Sequence, residues 1–151
     1  MKHLLILYHS GGGKTEAMAQ AVYAGARREP EVETRLQRAF DSGLDDLLWA
    51  DGLIFGTPEN FGYMSGALKD FFDRTFYPAE PYRLNLPYAL FVGAGNDGTG
   101  AALAVERIAL GYPLRKVAEP VIVAGALTEP HLQACDELGQ ALAAGLALGI
   151  F

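Results

Sequence analysis

Five times along its 151 residues the chain repeats one unit, a short apolar run closed by glycine or proline and then a stretch of helical spacing. No other feature limits the fold so tightly. The apolar runs are His3–Tyr8, Gly52–Gly56, Tyr88–Gly93 and Pro120–Gly125, with Val32–Arg38 alternating apolar and polar as an outer strand does. Helical patterns occupy Gly13–Arg28, Leu44–Ala50, Met64–Phe76 and Ala101–Leu110. A last helix starts at Thr128, a residue type suited to a helix N-cap, with Pro130 in the first turn and Leu132, Cys135, Leu138, Leu142 and Leu146 on one face. In the first helix Ala17, Ala21, Val22 and Ala24 or Gly25 are expected to face inward. Alternation of this kind predicts an α/β fold: a doubly wound, five-stranded parallel sheet of order 2-1-3-4-5 in a three-layer αβα arrangement. Residues 1–151 read as a single domain, with no linker or internal repeat. The Pro-rich Tyr77–Tyr88 segment reads as a surface connection.

Composition narrows the function. Half the residues are hydrophobic, one fifth are charged, and the net charge is −6. No basic footprint for nucleic acid is present. No apolar stretch reaches the length of a membrane span. The run after Lys2 resembles a secretory leader only superficially, being too short before Gly11. Cys135 is the one cysteine, so no internal disulfide and no multi-cysteine metal site can form, and its place on an apolar helix face marks it as core. His3, His9 and His131 lack metal-ligand spacing. The expected location is cytoplasmic.

In a doubly wound sheet, ligands bind beyond the carboxyl ends of the strands at the point where strand order reverses. Three loops meet there: Ser10–Thr15, Thr57–Met64 and Ala94–Gly100. The first, Ser10-Gly11-Gly12-Gly13-Lys14-Thr15, joins a strand to a helix and suits a phosphate, with backbone N–H groups at a positive helix end. A nucleotide triphosphatase P-loop would need glycine where Tyr8 stands, and no later strand ends in a magnesium-binding aspartate. Gly93-Ala94-Gly95-Asn96-Asp97-Gly98 matches the dinucleotide pattern G-x-G-x-x-G, and Glu119 lies where a ribose-binding acid is expected. That motif normally opens a βαβαβ half, however, and only one strand and one helix follow it here.

A third reading is more specific. Ser10–Glu16 resembles the flavodoxin pattern [ST]-x-T-G-x-T-E, departing at Gly12. Residues Ser10–Ala26 together with Gly56–Thr75, which contain "GTPENFGYMSG", resemble the WrbA-type NAD(P)H:quinone oxidoreductases and NADPH-dependent FMN reductases of the flavodoxin-like superfamily. The likeness covers roughly residues 3–110. Asn60 stands where that family usually has Arg, and Tyr63 where it has Asn. The chain is also shorter near the fifth strand, where members build active-site and tetramer contacts.

The resemblance implies a flavodoxin-like fold and an FMN site with no catalytic side chain and no metal. Its phosphate would lie on Ser10, Gly11, Gly12, Gly13, Lys14 and Thr15, with Gly12 and Gly13 free to take positive φ. The flavin ring would face Thr57, Pro58, Glu59, Asn60, Phe61 and Gly62 through backbone N–H groups from Glu59 to Gly62, with Phe61 near the ring and Tyr63 toward the substrate. The pyrimidine edge would meet Gly93, Ala94, Gly95, Asn96 and Asp97. NAD(P)H is the implied electron donor and a quinone-like small molecule the acceptor. Partners exclude nucleic acid and membrane and admit a homo-oligomer. A one-electron carrier of flavodoxin type is the alternative, as is a flavodoxin-like fold that holds flavin weakly. The third loop carries no aromatic side chain, which leaves one ring face open to a hydride donor and favours the reductase.

Overall fold

The computed structural model describes residues 1–151. Its strands are β1 (Lys2–Tyr8), β2 (Val32–Arg38), β3 (Gly52–Pro58), β4 (Leu86–Ala94), β5 (Leu114–Lys116) and β6 (Val121–Ala124). Its helices are α1 (Lys14–Ala26), α2 (Leu44–Trp49), α3 (Gly66–Ala79), α4 (Thr99–Gly111) and α5 (Glu129–Leu148). All strand pairs are parallel, in the order β2-β1-β3-β4-β5, and β6 also pairs with β4.

The sheet order agrees with the expectation, and the fifth position holds a refinement of it. Two short strands occupy that position end to end. β5 pairs with β4 at Leu86–Tyr88 and β6 at Phe91–Ala94. The three-residue β5 was not expected, because Leu-Arg-Lys carries too little apolar periodicity to register as a strand. Pro120, which has no N–H to donate, stands at the break just before β6.

The central strands are buried on both faces, which is why they read as continuous apolar runs. Leu5, Leu7, Leu53, Phe55, Leu90 and Val92 point toward α2, α3 and α4, where Leu68, Phe71, Phe72 and Val105 complete one core. Leu4, Ile6, Ile54, Ala89, Phe91 and Val123 point the other way, toward α1 and α5. Cys135 belongs to this second core, and burial pushes its thiol pKa up to about 11, so it is an inert packing residue.

Several boundaries shift. α3 starts at Gly66 rather than Met64, because Ser65 caps it by accepting from the Leu68 N–H at 3.2 Å. It runs on to Ala79 with Pro78 in its last turn, and a 3₁₀ turn at Glu80–Tyr82 follows, so the Pro-rich connection is shorter than expected. In α1 the buried residues are Thr15, Met18, Ala19, Val22, Gly25 and Ala26, while Ala17 and Ala21 are half-buried and Ala24 is exposed. α5 packs along α1 as well as the sheet, so the buried stripe turns toward both.

Candidate functional site

The carboxyl ends of β1, β3 and β4 bring the three glycine-containing loops side by side. The Thr57–Met64 loop is tied to its neighbours by backbone bonds: His9 N–H donates to Gly56 O at 3.1 Å, and Glu59 N–H donates to Gly93 O at 3.1 Å.

The first loop turns into α1 at Gly13, whose φ of 94° lies in the left-handed region that glycine enters without steric cost. Gly12 does not adopt positive φ, so that half of the expectation is corrected. A glycine N-cap has no side chain to bond the helix start, and Ser10 does so instead. Its Oγ accepts from Gly13 N–H at 3.3 Å and from Glu16 N–H at 3.0 Å. The N–H groups of Lys14 and Thr15, in the first turn, have no intrahelical acceptor. Thr15 is only 3 % exposed, and its hydroxyl makes no hydrogen bond within the chain. A hydroxyl with no partner in the chain, beside free N–H groups at a helix N-terminus, fits an oxyanion such as a phosphate monoester.

Lys14 is neither a solvated surface lysine nor turned onto its own loop. Its ammonium donates to Ala94 O at 2.5 Å and to Val123 O at 3.3 Å, the carbonyls at the ends of β4 and β6. It ties the first loop to the third. Beside the first loop, Glu16 accepts from Tyr8 Oη at 2.7 Å and from Gln20 at 3.0 Å. These bonds, Gln20 first, together with the nearby Arg38 charge, hold the Glu16 carboxyl below its ordinary pKa. Burial and the Glu16 bond raise the Tyr8 phenol.

The second loop closes on itself. Asn60 N–H donates to Tyr63 O at 2.9 Å and Tyr63 N–H to Asn60 O at 3.0 Å, with Phe61 and Gly62 at the tip of this tight turn at φ of 54° and 73°. Two of the four N–H groups expected to face a flavin, those of Glu59 and Asn60, are therefore already committed, and Phe61 and Gly62 retain theirs. Phe61 projects fully exposed from the tip. Tyr63 lines an apolar groove between α3 and α4 with Phe76 and Tyr77. Thr57 is buried and structural: its Oγ1 accepts from Ser65 N–H at 2.9 Å.

The third loop opens α4 at Gly98, again a glycine N-cap, with φ of 98°. The acceptor here is the Glu59 carboxylate, which takes Gly98 N–H at 2.9 Å and Ala101 N–H at 3.1 Å. A carboxylate at this helix start opposes the dinucleotide reading of Gly93–Gly98, whose pyrophosphate would meet its charge. Gly95, Asn96 and Asp97 are exposed, and Asp97 accepts from Thr99 Oγ1 at 2.6 Å. The side-chain role of Glu59 was missed in the sequence. Its one signal was a glycine at a helix start with no local cap.

Comparison with known proteins finds relatives in sequence and in fold. Residues 28–126 match the model of the NADPH-dependent FMN reductase family. A flavodoxin of Aquifex aeolicus (strain VF5) is 41 % identical over 73 residues, 48 % of this chain and 40 % of that protein. An NAD(P)H dehydrogenase (quinone) of Acidithiobacillus ferrooxidans (strain ATCC 53993 / BNL-5-31) is 36 % identical over 95 residues, 50 % of this chain and 48 % of that protein. The chain thus spans less than half the length of these relatives. The crystal structure of a flavodoxin, WrbA-like protein from Agrobacterium tumefaciens superposes with a TM-score of 0.77 at 22 % identity, over 99 % of both chains. The family match covers about two thirds of the chain, which therefore belongs to the NADPH-dependent FMN reductase family, within the flavodoxin-like superfamily.

Proposed function

We propose that this member of the NADPH-dependent FMN reductase family holds one FMN non-covalently across its three loops and acts as an oxidoreductase that takes electrons from NAD(P)H and delivers them to a quinone-like acceptor. The observation that carries the reading is the start of α1. It has free N–H groups, a hydroxyl without a partner in the chain at Thr15, and a neutral hydroxyl, Ser10, as its cap. No carboxylate accepts from those N–H groups. The site has donors to give at the positive end of a helix, which is what a phosphate monoester requires.

Each loop has its own task in this reading. Gly11, Gly12, Lys14 and Thr15 present backbone N–H groups to the phosphate around the turn at Gly13, and the Ser10 and Thr15 hydroxyls donate to it. The Phe61 and Gly62 N–H groups face the ring, flanked by Thr57, Pro58 and Asn60, with the Glu59 carboxylate behind them on α4. Gly93, Ala94, Gly95, Asn96 and Asp97 bound the pyrimidine edge. The bound FMN supplies the redox chemistry, so the chain needs no acid–base pair of its own. Small side chains at Gly93–Gly95 leave room for a nicotinamide to approach.

The FMN reading is tested by titrating the purified protein with FMN, riboflavin and FAD. FMN is expected to bind most tightly, and equal affinity for riboflavin and FMN would remove the phosphate argument. The reductase reading is tested anaerobically: NADH or NADPH is expected to bleach the yellow protein, and benzoquinone to restore its colour. Failure of both donors, with reduction only by a partner reductase protein, would instead establish an electron carrier.

A further inference from the structure

We infer that Glu59 is a positioning residue, a built-in anion that occupies the N-terminus of α4, locks the second and third loops into one wall against the flavin ring, and withholds that helix start from phosphate. The inference rests on the FMN reading above. Three contacts carry it. The carboxylate is bidentate, one oxygen on Gly98 N–H at 2.9 Å and the other on Ala101 N–H at 3.1 Å. The backbone of the same residue is pinned to the end of β4, through Glu59 N–H on Gly93 O at 3.1 Å. The loop tip also presses on the helix, since a Cβ on Gly100 would lie 2.1 Å from Gly62 O. Glu59 therefore anchors both the strand that enters the third loop and the helix that leaves it, while the turn bearing the free Phe61 and Gly62 N–H groups rests on that helix.

The charge matters as much as the geometry. A carboxylate at a helix N-terminus satisfies two orphan donors and compensates the positive end of the dipole. Gly98 has no side chain that could replace it. With Glu59 in place, the start of α4 already carries a negative charge that repels a phosphate, and the phosphate is directed to α1. Glutamine at this position keeps one acceptor oxygen and turns an amide N–H₂ toward a backbone N–H, so it replaces half of the cap. Alanine removes it all.

The experiment compares the full-length wild type with Glu59→Gln and Glu59→Ala. Dissociation constants for FMN and riboflavin are measured by fluorescence quenching, and amide exchange is followed at Gly98 and Ala101. Glu59→Ala is expected to weaken both flavins by the same factor, about tenfold or more, because hydrogen bonds to a charged group are lost from the ring wall and none from the phosphate loop. Glu59→Gln is expected to lose less. Exchange at Gly98 and Ala101 accelerates in both variants. Added formate, a carboxylate small enough to enter the vacated cap, restores part of the riboflavin affinity of Glu59→Ala and slows that exchange again. Unchanged riboflavin affinity, or a loss confined to FMN, would overturn the proposal. Circular dichroism identifies a variant that fails to fold, in which case Glu59→Gln, with its near-identical volume, decides. A wild type that binds neither flavin would defeat the FMN reading and not the clamp, which the exchange rates at Gly98 and Ala101 then decide.

Discussion

The starts of α1 and α4 are built alike and behave differently. Each follows a buried parallel strand, and each has a glycine N-cap in nearly the same conformation, Gly13 at φ 94°, ψ −21° and Gly98 at φ 98°, ψ −17°. In each, a side chain from outside the helix bonds the N–H of the cap glycine and the N–H three residues on. At α1 that side chain is the Ser10 hydroxyl, a neutral neighbour three residues upstream. At α4 it is the Glu59 carboxylate, which comes from 39 residues away. A neutral cap leaves the helix end positive and receptive to an anion, and a charged cap fills it. The same glycine pattern thus carries a neutral local cap in one loop and a charged cap from a distant loop in the other.

The most severe break in this comparison is Gly13→Val. A β-branched residue is strained at φ 94°, by about 1–3 kcal/mol, and the turn must rearrange. FMN binding is expected to be abolished, seen as colourless purified protein with no quenching on titration. Next comes Ser10→Asp, which gives α1 the kind of cap that α4 has. A carboxylate beside a bound phosphate repels it, by up to about 4 kcal/mol at 4 Å with an effective dielectric constant of 20. FMN affinity is expected to fall by about a hundredfold or more while riboflavin affinity holds. A parallel fall in both flavins would show that Ser10 shapes the ring site instead.

Lys14→Met sharpens the comparison at smaller cost. Lys14 serves the ends of β4 and β6 here, so its loss is expected to lower stability by about 1 kcal/mol and the melting temperature by a few degrees. FMN and riboflavin should weaken together and by less than tenfold. A loss limited to FMN would mean that the ammonium turns to the phosphate on binding.

The smallest effect is in the pH dependence. Glu16 has a folded pKa below its unfolded value, so its contribution to stability is present above the unfolded pKa and is lost as pH falls through the folded one. Tyr8→Phe removes one of the donors that hold Glu16 down. The Glu16 titration, followed by NMR, is expected to move to higher pH, with slightly less acid-side loss of stability than in the wild type. An unmoved titration would assign the shift to Gln20 and Arg38 alone.

Much of this was legible before folding. Apolar runs such as Leu4–Leu7 and Leu53–Phe55 carry their own burial, because a strand covered on both faces must be apolar at every position. Alternation with helices then implied a parallel sheet, and sheet order implied which loops would meet. Ser10 and Gly13 were legible because their chemistry is local: cap, turn and first helical turn lie within a few residues of one another. The two-part fifth strand was not, since Leu114–Lys116 is a strand only because β4 offers it backbone partners. Lys14 read as a phosphate contact, and only the packing of strand ends against α1 placed its ammonium on Ala94 and Val123. Glu59 stood in a loop whose backbone alone seemed of interest. The sequence by itself determined that two glycine turns would open two helices at one edge of a parallel sheet. Which of them could accept a phosphate was decided by tertiary structure, because the charge that closes α4 comes from a residue distant in sequence, brought there only when β3 and β4 pair.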